Sequence, residues 1–304
     1  MRKTAIITRT KNRPLLLARA IHSVLDQTSN DWIQVIVNDA GNSDEVDQVV
    51  APFKDRYQGR LTVIHRTQST GMEAASNAGI AASESDYVVI HDDDDRWEPE
   101  FLAKCTGYLE RHKNIESLGG VVTHIRRITE RIDEKKITQI KQDVMNRWLR
   151  QVTLVDVVGM FCWVPIGFLY KRSALETIGN YREDLPVLGD FEFNIRFIRK
   201  WDIGVIQEPL ACYHVRDPKH AAGYERNSVT SQEDLFSLHL SRLKNQLMRE
   251  DLDSGKFGLG CLINISSSIE LVQRNTNPIG RAFDKVLASR KISWLLRKLG
   301  YLRT

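Results

Sequence analysis

The sequence Tyr87-Val88-Val89-Ile90-His91-Asp92-Asp93-Asp94-Asp95-Arg96-Trp97 joins a short apolar run to four consecutive aspartates. Its β-branched Val and Ile residues are typical of a buried strand. Side chains alternate along an extended chain, so Asp92 and Asp94 are expected on one side, with Asp93 and Asp95 on the other. Crowded carboxylates need a counterion, and a hard divalent cation such as Mg²⁺ is well suited. The buried strand favours such a metal site over a solvated acidic turn.

Apolar runs alternate with helical patterns along the first hundred residues. Strands are predicted at Thr4–Thr8, Ile33–Val37, Leu61–Ile64 and Tyr87–Ile90, and helices from Pro14 to about Gln27 and from Gly71 to Ala82. This order predicts an α/β protein with a doubly wound, mostly parallel sheet. Ligands of open α/β sheets bind beyond the carboxyl ends of the strands. Those ends would bring together Thr8-Arg9-Thr10, Asp39, Arg66 and Asp92–Asp95, which suit a nucleotide diphosphate.

The second part of the chain has mixed patterns. A helix is predicted after Pro99, and Val121–Glu130 is expected to form a hairpin with the segment around Ile137. Residues 138–153 look polar and irregular, and Ile166–Tyr170 is predicted to be a strand. From about Asn227 onward the pattern is helical throughout. It predicts a catalytic domain over residues 1–226 and a helical C-terminal extension over residues 227–304.

The end of this extension is strongly basic. Residues 281–304 contain seven Lys or Arg residues and one Asp, a net charge of +6, whereas the whole chain carries +4. Apolar residues recur there at largely helical spacing. Two interpretations remain open: a basic amphipathic helix lying on an anionic membrane, or a helix whose apolar stripe packs on the preceding helices or on another subunit of a homo-oligomer.

Composition excludes several classes of protein. The 304 residues are 42% hydrophobic and 27% charged, which is ordinary for a soluble globular protein, and the small positive charge does not indicate nucleic acid. Four widely spaced cysteines fit no zinc motif and indicate free thiols in a reducing compartment. The apolar stretch Leu154–Tyr170 is short and interrupted for a membrane span. A cytoplasmic protein is expected, with peripheral contact at the inner membrane face if the basic helix binds lipid.

Six spaced motifs lie between residues 3 and 216. They are Thr10-Lys11-Asn12-Arg13-Pro14, Ser23-Val24-Leu25-Asp26-Gln27-Thr28, Val37-Asn38-Asp39-Ala40-Gly41, Gly71 with Ala75-Ser76-Asn77-Ala78-Gly79-Ile80, Asp92–Trp97, and Gly189-Asp190 followed by Arg196. Together they resemble the inverting glycosyltransferases of family 2, which have a GT-A fold. The chain departs from that pattern in four places. Ser76 stands where Arg is common, and Gly189 stands where the family usually has Glu. The turn from Asp39 to Asp44 is one residue longer than usual, and the chain has Tyr213-His214-Val215-Arg216 where many relatives place a His two residues beyond Tyr-Arg.

The resemblance implies a function. This is metal-dependent transfer of a sugar, with inversion, from a nucleotide-diphosphate sugar to a hydroxyl of a glycan or lipid-linked acceptor, in cell-surface polysaccharide biosynthesis. It also implies a role for each matched position. Thr8, Thr10 and Asp39 would hold the base and ribose, Asp94 would bind Mg²⁺ or Mn²⁺, and Asp190 would be the general base. Asp92 would face the ribose or a metal-bound water, or bind the metal, and Asn77 and Asp93 are further candidates for the donor site. Arg66, a donor-site candidate through the diphosphate, and Arg196 are otherwise expected to be surface or ion-pairing residues, and His214 is either a structural histidine or a ligand of the metal or phosphate.

Several alternatives stand beside these roles. Asp190 is also a typical helix N-cap, and Glu192 competes with it as the base. The segment Phe191–Phe197 alternates like a strand, whereas the resemblance implies a helix. Trp97 and Trp163 suit either sugar stacking or the core. A sugar-nucleotide pyrophosphorylase would need a glycine-rich loop after the first strand, where this chain has none, and an inactive scaffold subunit would lack turnover.

Overall fold

The structure of this chain is a computed structural model that describes residues 2–133, 136–217 and 233–269. The chain divides into two units. The first comprises Met1–Val157 and Phe161–Leu243, and the second comprises Val158–Met160 and Lys244–Thr304. The predicted basic helix over residues 281–304 lies outside the described residues.

The first unit is built on a sheet. Its described strands are β1 Arg2–Thr10, β2 Trp32–Asp39, β3 Leu61–Arg66, β4 Ser85–Asp92, β5 Arg96–Trp97, β6 Leu118–Asp133, β7 Lys136–Val144, β8 Phe168–Lys171 and β9 Asp202–Arg216. The described α-helices of the chain are α1 Pro14–Leu25, α2 Ser43–Val50, α3 Lys54–Tyr57, α4 Met72–Ala81, α5 Phe101–Arg111, α6 Leu154–Gly159, α7 Ala174–Ile178, α8 Gly189–Ile198 and α9 Glu233–Ser254. Short 3₁₀ turns lie at Ala51–Phe53 and Pro165–Gly167.

The nine described strands form one sheet in the order β3-β2-β1-β4-β8-β6-β9-β5, and β7 pairs with β6. Strands β1 to β4 are mutually parallel, so Arg66, Asp39, Thr10 and Asp92 all end at the same edge, as predicted. The chain steps outward from β1 through β2 to β3 and then returns to place β4 on the other side of β1. The sheet therefore changes winding direction between β1 and β4, the place where open α/β sheets bind ligands.

Most of the predicted elements are confirmed, although their bounds differ. Each of the first four strands extends beyond its apolar centre, since pairing with its neighbours also orders the polar residues at its ends. The predicted hairpin is present, with Ile132 opposite Ile137. The prediction of an irregular 138–153 segment is wrong in part, because β7 continues to Val144. Residues there are mostly exposed, so pairing with β6 orders them without an apolar pattern.

Helix α4 packs closely on the two central strands through a glycine. A Cβ atom at Gly79 would lie 2.4 Å from Cγ2 of Ile7 and 3.1 Å from Cγ2 of Val37. Both side chains are completely buried in β1 and β2. Because Gly79 has no side chain, α4 can pack closely on the sheet, and its first turn lies near the edge where the acidic run begins.

Replacing Gly79 with Ala is expected to destabilise the protein by about 1–3 kcal/mol, because a methyl group would be forced into a filled core. Denaturant unfolding of the two proteins measures the difference. Gly107→Ala in α5 is the matched control, since a Cβ there meets only the end of the Arg111 side chain. Helix propensity should make that control neutral or more stable by up to about 1 kcal/mol. Equal losses in both variants would contradict the packing argument.

The second unit is helical in its described part. Residues 244–254 belong to α9, and residues 259–269 form a further helical stretch. The carboxylate of Asp251 accepts hydrogen bonds from the backbone N–H groups of Gly258, at 3.0 Å, and Cys261, at 2.8 Å. These bonds satisfy donors at the start of the second stretch. The helical pattern expected after Asn227 is confirmed for the described residues, and the boundary at residue 226 stays a prediction.

Two expectations from composition can be compared with the described residues. Cys105, Cys162, Cys212 and Cys261 form no disulfide bond among the described residues, and the first three are buried, as expected for reduced structural thiols. Among the described helices, none combines the length and the apolar character that crossing a membrane requires.

Candidate active site

The acidic run bends sharply at the end of β4. The strand ends at Asp92, and the backbone N–H of Asp95 donates to the carbonyl of Asp92 at 3.1 Å, which closes a turn. The expectation of alternating sides is therefore wrong. Arg13 contacts both Asp93 and Asp94, at 3.1 and 3.3 Å, because a turn can bring adjacent side chains to one partner.

Arginines from other elements supply positive charge to the acidic run. Arg9, the register partner of Asp92 on the adjacent strand, forms an ion pair with it. Asp94 pairs with Arg13 and also with Arg216 at the end of β9. Although burial favours the neutral form, the guanidinium groups of Arg216 and Arg13 hold the pKa of Asp94 below its usual value. Asp94 is therefore a carboxylate in the structure.

A buried network of polar side chains packs against the acidic run. This network was not predicted from the sequence. Glu130 of β6 accepts hydrogen bonds from Arg19 at 2.8 and 3.2 Å and is 2.7 Å from Nδ1 of His214. The parallel register places Glu130 opposite Arg216, whose guanidinium donates to the carbonyl of His214 at 2.9 Å. The other end of this network is Asp94, which Arg216 contacts directly.

The environment of His214 fixes its protonation. Burial lowers its pKa, so the imidazole is neutral. With Nδ1–H donated to the Glu130 carboxylate, the lone pair of the ring is on Nε2, the form in which histidine can bind a metal. Its backbone N–H donates to Oδ1 of Asp95 at 2.8 Å. The role of His214 as a metal or phosphate ligand stays a prediction.

Asp93 has an unusual environment for a carboxylate. Its side chain is buried, and Oδ2 accepts no hydrogen bond among the described residues. Burial raises the pKa of Asp93 to about 6, against the opposing effect of Arg13. An oxygen in this state is costly unless a ligand or cation satisfies it.

The predicted nucleoside side of the edge contains a second ion pair. Asp39, at the end of β2, accepts from Arg66 of β3 at 2.5 Å and from the hydroxyl of Ser69 at 2.6 Å. Thr10 is the last residue of β1, the strand between β2 and β4, and its side chain is buried. The structure thus brings Thr10, Asp39, Arg66 and the acidic run to one edge.

Two predicted donor-site residues have structural partners instead. Thr8 is fully buried, and its hydroxyl accepts from the amide of Gln34 at 2.8 Å within the sheet. Asn77 of α4 donates to the carbonyl of Tyr181 at 2.9 Å and accepts from its N–H at 3.1 Å. Asn77 thereby ties α4 to the segment that leads into α8. Contact of either side chain with a nucleotide stays a prediction.

Asp190 lies in the first turn of α8, after the N-cap residue Leu188. Its Oδ1 accepts from the backbone N–H of Phe191 at 2.8 Å, and burial raises its pKa above the usual value. It is therefore a better proton acceptor than an ordinary aspartate. Arg9 and Asp92 both act on this pKa through their charges, so Asp190 lies within electrostatic range of the start of the acidic run.

The competing carboxylate, Glu192, is committed to an ion pair. Arg196 binds both of its oxygens, at 2.7 and 2.8 Å. The same guanidinium also donates to the carbonyl of Asn180 at 2.9 Å. This arrangement gives Glu192 and Arg196 a structural role at the start of α8. The segment Phe191–Phe197 is a helix, which confirms what the resemblance implies; the strand suggested by its alternation is not formed.

Both tryptophans considered for sugar stacking lie in the core. Trp97 is 2% exposed, stacks on Phe101 with ring centroids 4.5 Å apart, and donates to the carbonyl of Ile166 at 2.7 Å. Trp163 is equally buried and packs against Phe168. Of the two alternatives left open for these rings, the core is the one that the structure shows.

Comparison with known proteins agrees with this geometry. The family described as "Glycosyl transferase family 2" matches residues 5–179, more than half of the chain. A relative from Bacillus subtilis, "Uncharacterized glycosyltransferase YwdF", is 27% identical over 203 residues, which cover 66% of this chain and 70% of the relative.

Two solved structures show the same fold. The mannosyltransferase PcManGT from Pyrobaculum calidifontis, in complex with GDP-Man and Mn²⁺, has a TM-score of 0.61 at 15% identity, covering 98% of this chain and 79% of that one. S. aureus TarS 1-349 in complex with UDP-GlcNAc has a TM-score of 0.57 at 17% identity and covers 72% of this chain. This chain spans 60% of that TarS structure. Likeness at such identity establishes the fold alone.

Proposed function

This chain belongs to glycosyl transferase family 2, and we propose that it transfers a sugar from a nucleotide-diphosphate donor to a hydroxyl of a glycan or lipid-linked acceptor. The enzyme is thus a glycosyltransferase with the GT-A fold, and the pyrophosphorylase alternative is excluded by the family. The finer proposals are inversion at the sugar, dependence on a divalent cation, and a place in cell-surface polysaccharide biosynthesis.

Groups of different chemistry lie at one edge of the sheet, and this arrangement is the main support for the proposal. Asp39 and Arg66 lie at the ends of β2 and β3, the acidic run lies at the end of β4, and Asp190 belongs to a distant part of the chain. A donor that spans this edge would place its nucleoside near Asp39 and its diphosphate near the acidic run. The carboxylate of Asp190 is then available to the acceptor.

The residues of the acidic run fit a hard divalent cation. The described residues contain no group of three His, Cys, Asp or Glu side chains that could hold a metal by themselves. Mg²⁺ and Mn²⁺ sites for nucleotides need fewer, because one or two carboxylates combine with phosphate oxygens. The buried Oδ2 of Asp93 accepts no hydrogen bond from the described residues, so the acidic run has more carboxylate oxygens than the neighbouring donors satisfy.

Asp94 and Asp92 would hold this cation, with His214 as a further ligand. A bound cation would stabilise the negative charge that develops on the departing diphosphate. The arginines of the site also contribute to this stabilisation. Arg9 and Arg13 are partly buried beside the run, so their charge acts at short range on a phosphate that reaches it.

Asp190 is proposed as the general base. An acceptor hydroxyl loses its proton to the carboxylate as its oxygen attacks the anomeric carbon, and the bond from that carbon to the diphosphate breaks. In-line attack on the face opposite the diphosphate inverts the anomeric centre. The pKa raised by burial favours proton acceptance, and the ion pair of Glu192 with Arg196 leaves Asp190 as the carboxylate suited to this role.

A screen of sugar nucleotides tests the proposal. Purified full-length protein is mixed with UDP-, GDP- and dTDP-sugars, with Mn²⁺ or with EDTA, and both the melting temperature and the release of nucleoside diphosphate are measured. One nucleotide class is expected to raise the melting temperature more with Mn²⁺ than with EDTA and to be turned over. Stabilisation without turnover on any acceptor would favour the inactive scaffold alternative.

A further inference from the structure

A buried carboxylate from α4 occupies the space beside the backbone of Gly189. Glu73 is 4% exposed, although it lies in the first turn of its helix. A Cβ atom at Gly189 would lie 2.1 Å from Oε1 of Glu73, 2.3 Å from its Cγ and 2.4 Å from its Cδ. Gly189 immediately precedes Asp190, so this carboxylate contacts the first turn of the helix that carries the proposed base.

The backbone does not require glycine at position 189. The glycines with positive φ among the described residues are Gly59, Gly71, Gly179 and Gly255, and Gly189 is not one of them. It lies in the first turn of α8, where any residue other than proline adopts the same φ and ψ at little cost. The glycine is therefore explained by the Glu73 carboxylate, which fills the space of a side chain.

Charges around Glu73 connect it with the rest of the site. Burial raises the pKa of Glu73 to about 7, against the effect of Arg9, and Asp190 and Asp92 raise it further. The guanidinium of Arg9 forms an ion pair with Asp92 and a 3.3 Å hydrogen bond with Ser76. The charge of Arg9 also acts on the pKa of Asp190, so one arginine acts electrostatically on carboxyl groups from β4, α4 and α8.

This arrangement accounts for two departures from the family pattern. Ser76 stands where an arginine is common, and the guanidinium of Arg9 bonds to its hydroxyl. Gly189 stands where a glutamate is usual, and the carboxylate of Glu73 occupies the adjacent space. The positive and negative groups absent from those positions are thus supplied from β1 and from the first turn of α4.

We propose that Glu73 is a positioning residue for Asp190: its carboxylate supplies, from α4, the negative group that residue 189 lacks, and its contact with Gly189 holds the first turn of α8 in place. The inference rests on the proposed function of Asp190 as the base. A positioning residue acts through geometry, so its loss should lower turnover more than donor binding.

The contact itself is tested by stability, without any assay of turnover. Gly189→Ala is expected to lower the melting temperature by about 3–8 °C in the wild-type background, because the new methyl group meets Glu73. The same change should have little effect in a Glu73→Ala background, where the space is open. Gly107→Ala serves as the control. Equal losses in both backgrounds would overturn the proposal.

The positioning role is tested by kinetics. Glu73→Gln fills the same volume without the charge. Assayed at a pH well above 7, where the wild-type Glu73 is ionised, it is expected to lower kcat about 10–100-fold with a donor KM within about twofold of wild type. The double variant Glu73→Ala/Gly189→Glu is expected to recover much of the activity that Glu73→Ala loses. Glu45→Gln, an exposed first-turn glutamate of α2, is the matched control. Wild-type kcat in Glu73→Gln would overturn the proposal.

The two experiments separate this inference from the proposed function. Coupling between Glu73 and Gly189 in melting temperature, together with a wild-type protein that turns over no donor, would contradict the proposed function while confirming the contact. Turnover of a donor by wild type, with no coupling and no effect of Glu73→Gln, would contradict the positioning role alone.

Discussion

Replacing Asp190 with Asn is expected to slow glycosyl transfer by about 10²–10⁴-fold, because an amide of nearly the same shape cannot accept the proton of the acceptor hydroxyl. Donor affinity should change little, since the ion pairs at the nucleotide edge remain. Single-turnover transfer and a separate donor titration measure the two effects. In wild type, activity should rise with pH through the pKa of Asp190, which burial raises above its usual value. The variant should lose this dependence.

Glu192→Gln is the control for that experiment. Glu192 is 8% exposed, and both oxygens of its carboxylate accept from Arg196. The change should therefore weaken this ion pair and lower the stability of the protein, but affect transfer only modestly. A large loss of transfer in a folded Glu192→Gln protein, with a small loss in Asp190→Asn, would show that the wrong carboxylate was chosen. The pH profiles of both variants make the assignment independent of absolute rates.

The edge of the sheet was predictable from sequence because it depends on short-range patterns. β-Branched apolar runs that alternate with helices identify parallel strands, and polar residues directly after those runs must then meet. Asp39, Arg66 and Asp92 accordingly lie at the ends of adjacent strands. The turn after Asp92 was missed, since alternation assumes an extended chain and four aspartates in a row do not indicate where extension stops.

The counterions of the acidic run could not be predicted, because they come from distant parts of the chain. Crowded carboxylates indicate a need for positive charge, and the sequence suggested a metal. The structure shows Arg9, Arg13 and Arg216 paired with the run. Arg216 is more than 120 residues from Asp94, and the two meet because β9 continues beside β6. Arg13 carried some signal, since it belongs to a motif already recognised.

Helix α8 shows how a periodic pattern can mislead. Residues two apart on a helix are about 200° apart around its axis, so an alternating apolar pattern places side chains on two opposite faces. Phe191 contacts Phe161, whereas Phe193 and Phe197 contact Tyr170, and all three phenylalanines are buried. A helix packed on both faces therefore produces the pattern of a strand. Periodicity alone could not distinguish them.

Replacing Asp94 with Asn is expected to lower metal-dependent turnover by about 10²–10³-fold, because the cation beside the diphosphate would lose an anionic ligand. Donor affinity should fall as well, since a cation held there would join the protein to the diphosphate. This combined loss distinguishes Asp94 from Asp190, for which affinity is retained. Transfer and donor binding, each measured across a titration of Mn²⁺, test the expectation; full activity of Asp94→Asn in EDTA would contradict it.

Asn is the informative substitution because Asp94 also supports the fold. Its carboxylate pairs with Arg216, which is 2% exposed, and removing one partner of a buried pair costs about 3–5 kcal/mol. Asp94→Ala should therefore melt well below wild type, whereas Asp94→Asn keeps an oxygen that can accept from the guanidinium. Asp143→Asn removes a comparable but exposed partner, that of Arg127, and should change neither melting nor activity. If Asp94→Asn melts like wild type and higher Mn²⁺ concentrations restore its activity, the variant has lost affinity for the metal. If Mn²⁺ does not restore activity and the donor still binds normally, Asp94 acts only through Arg216.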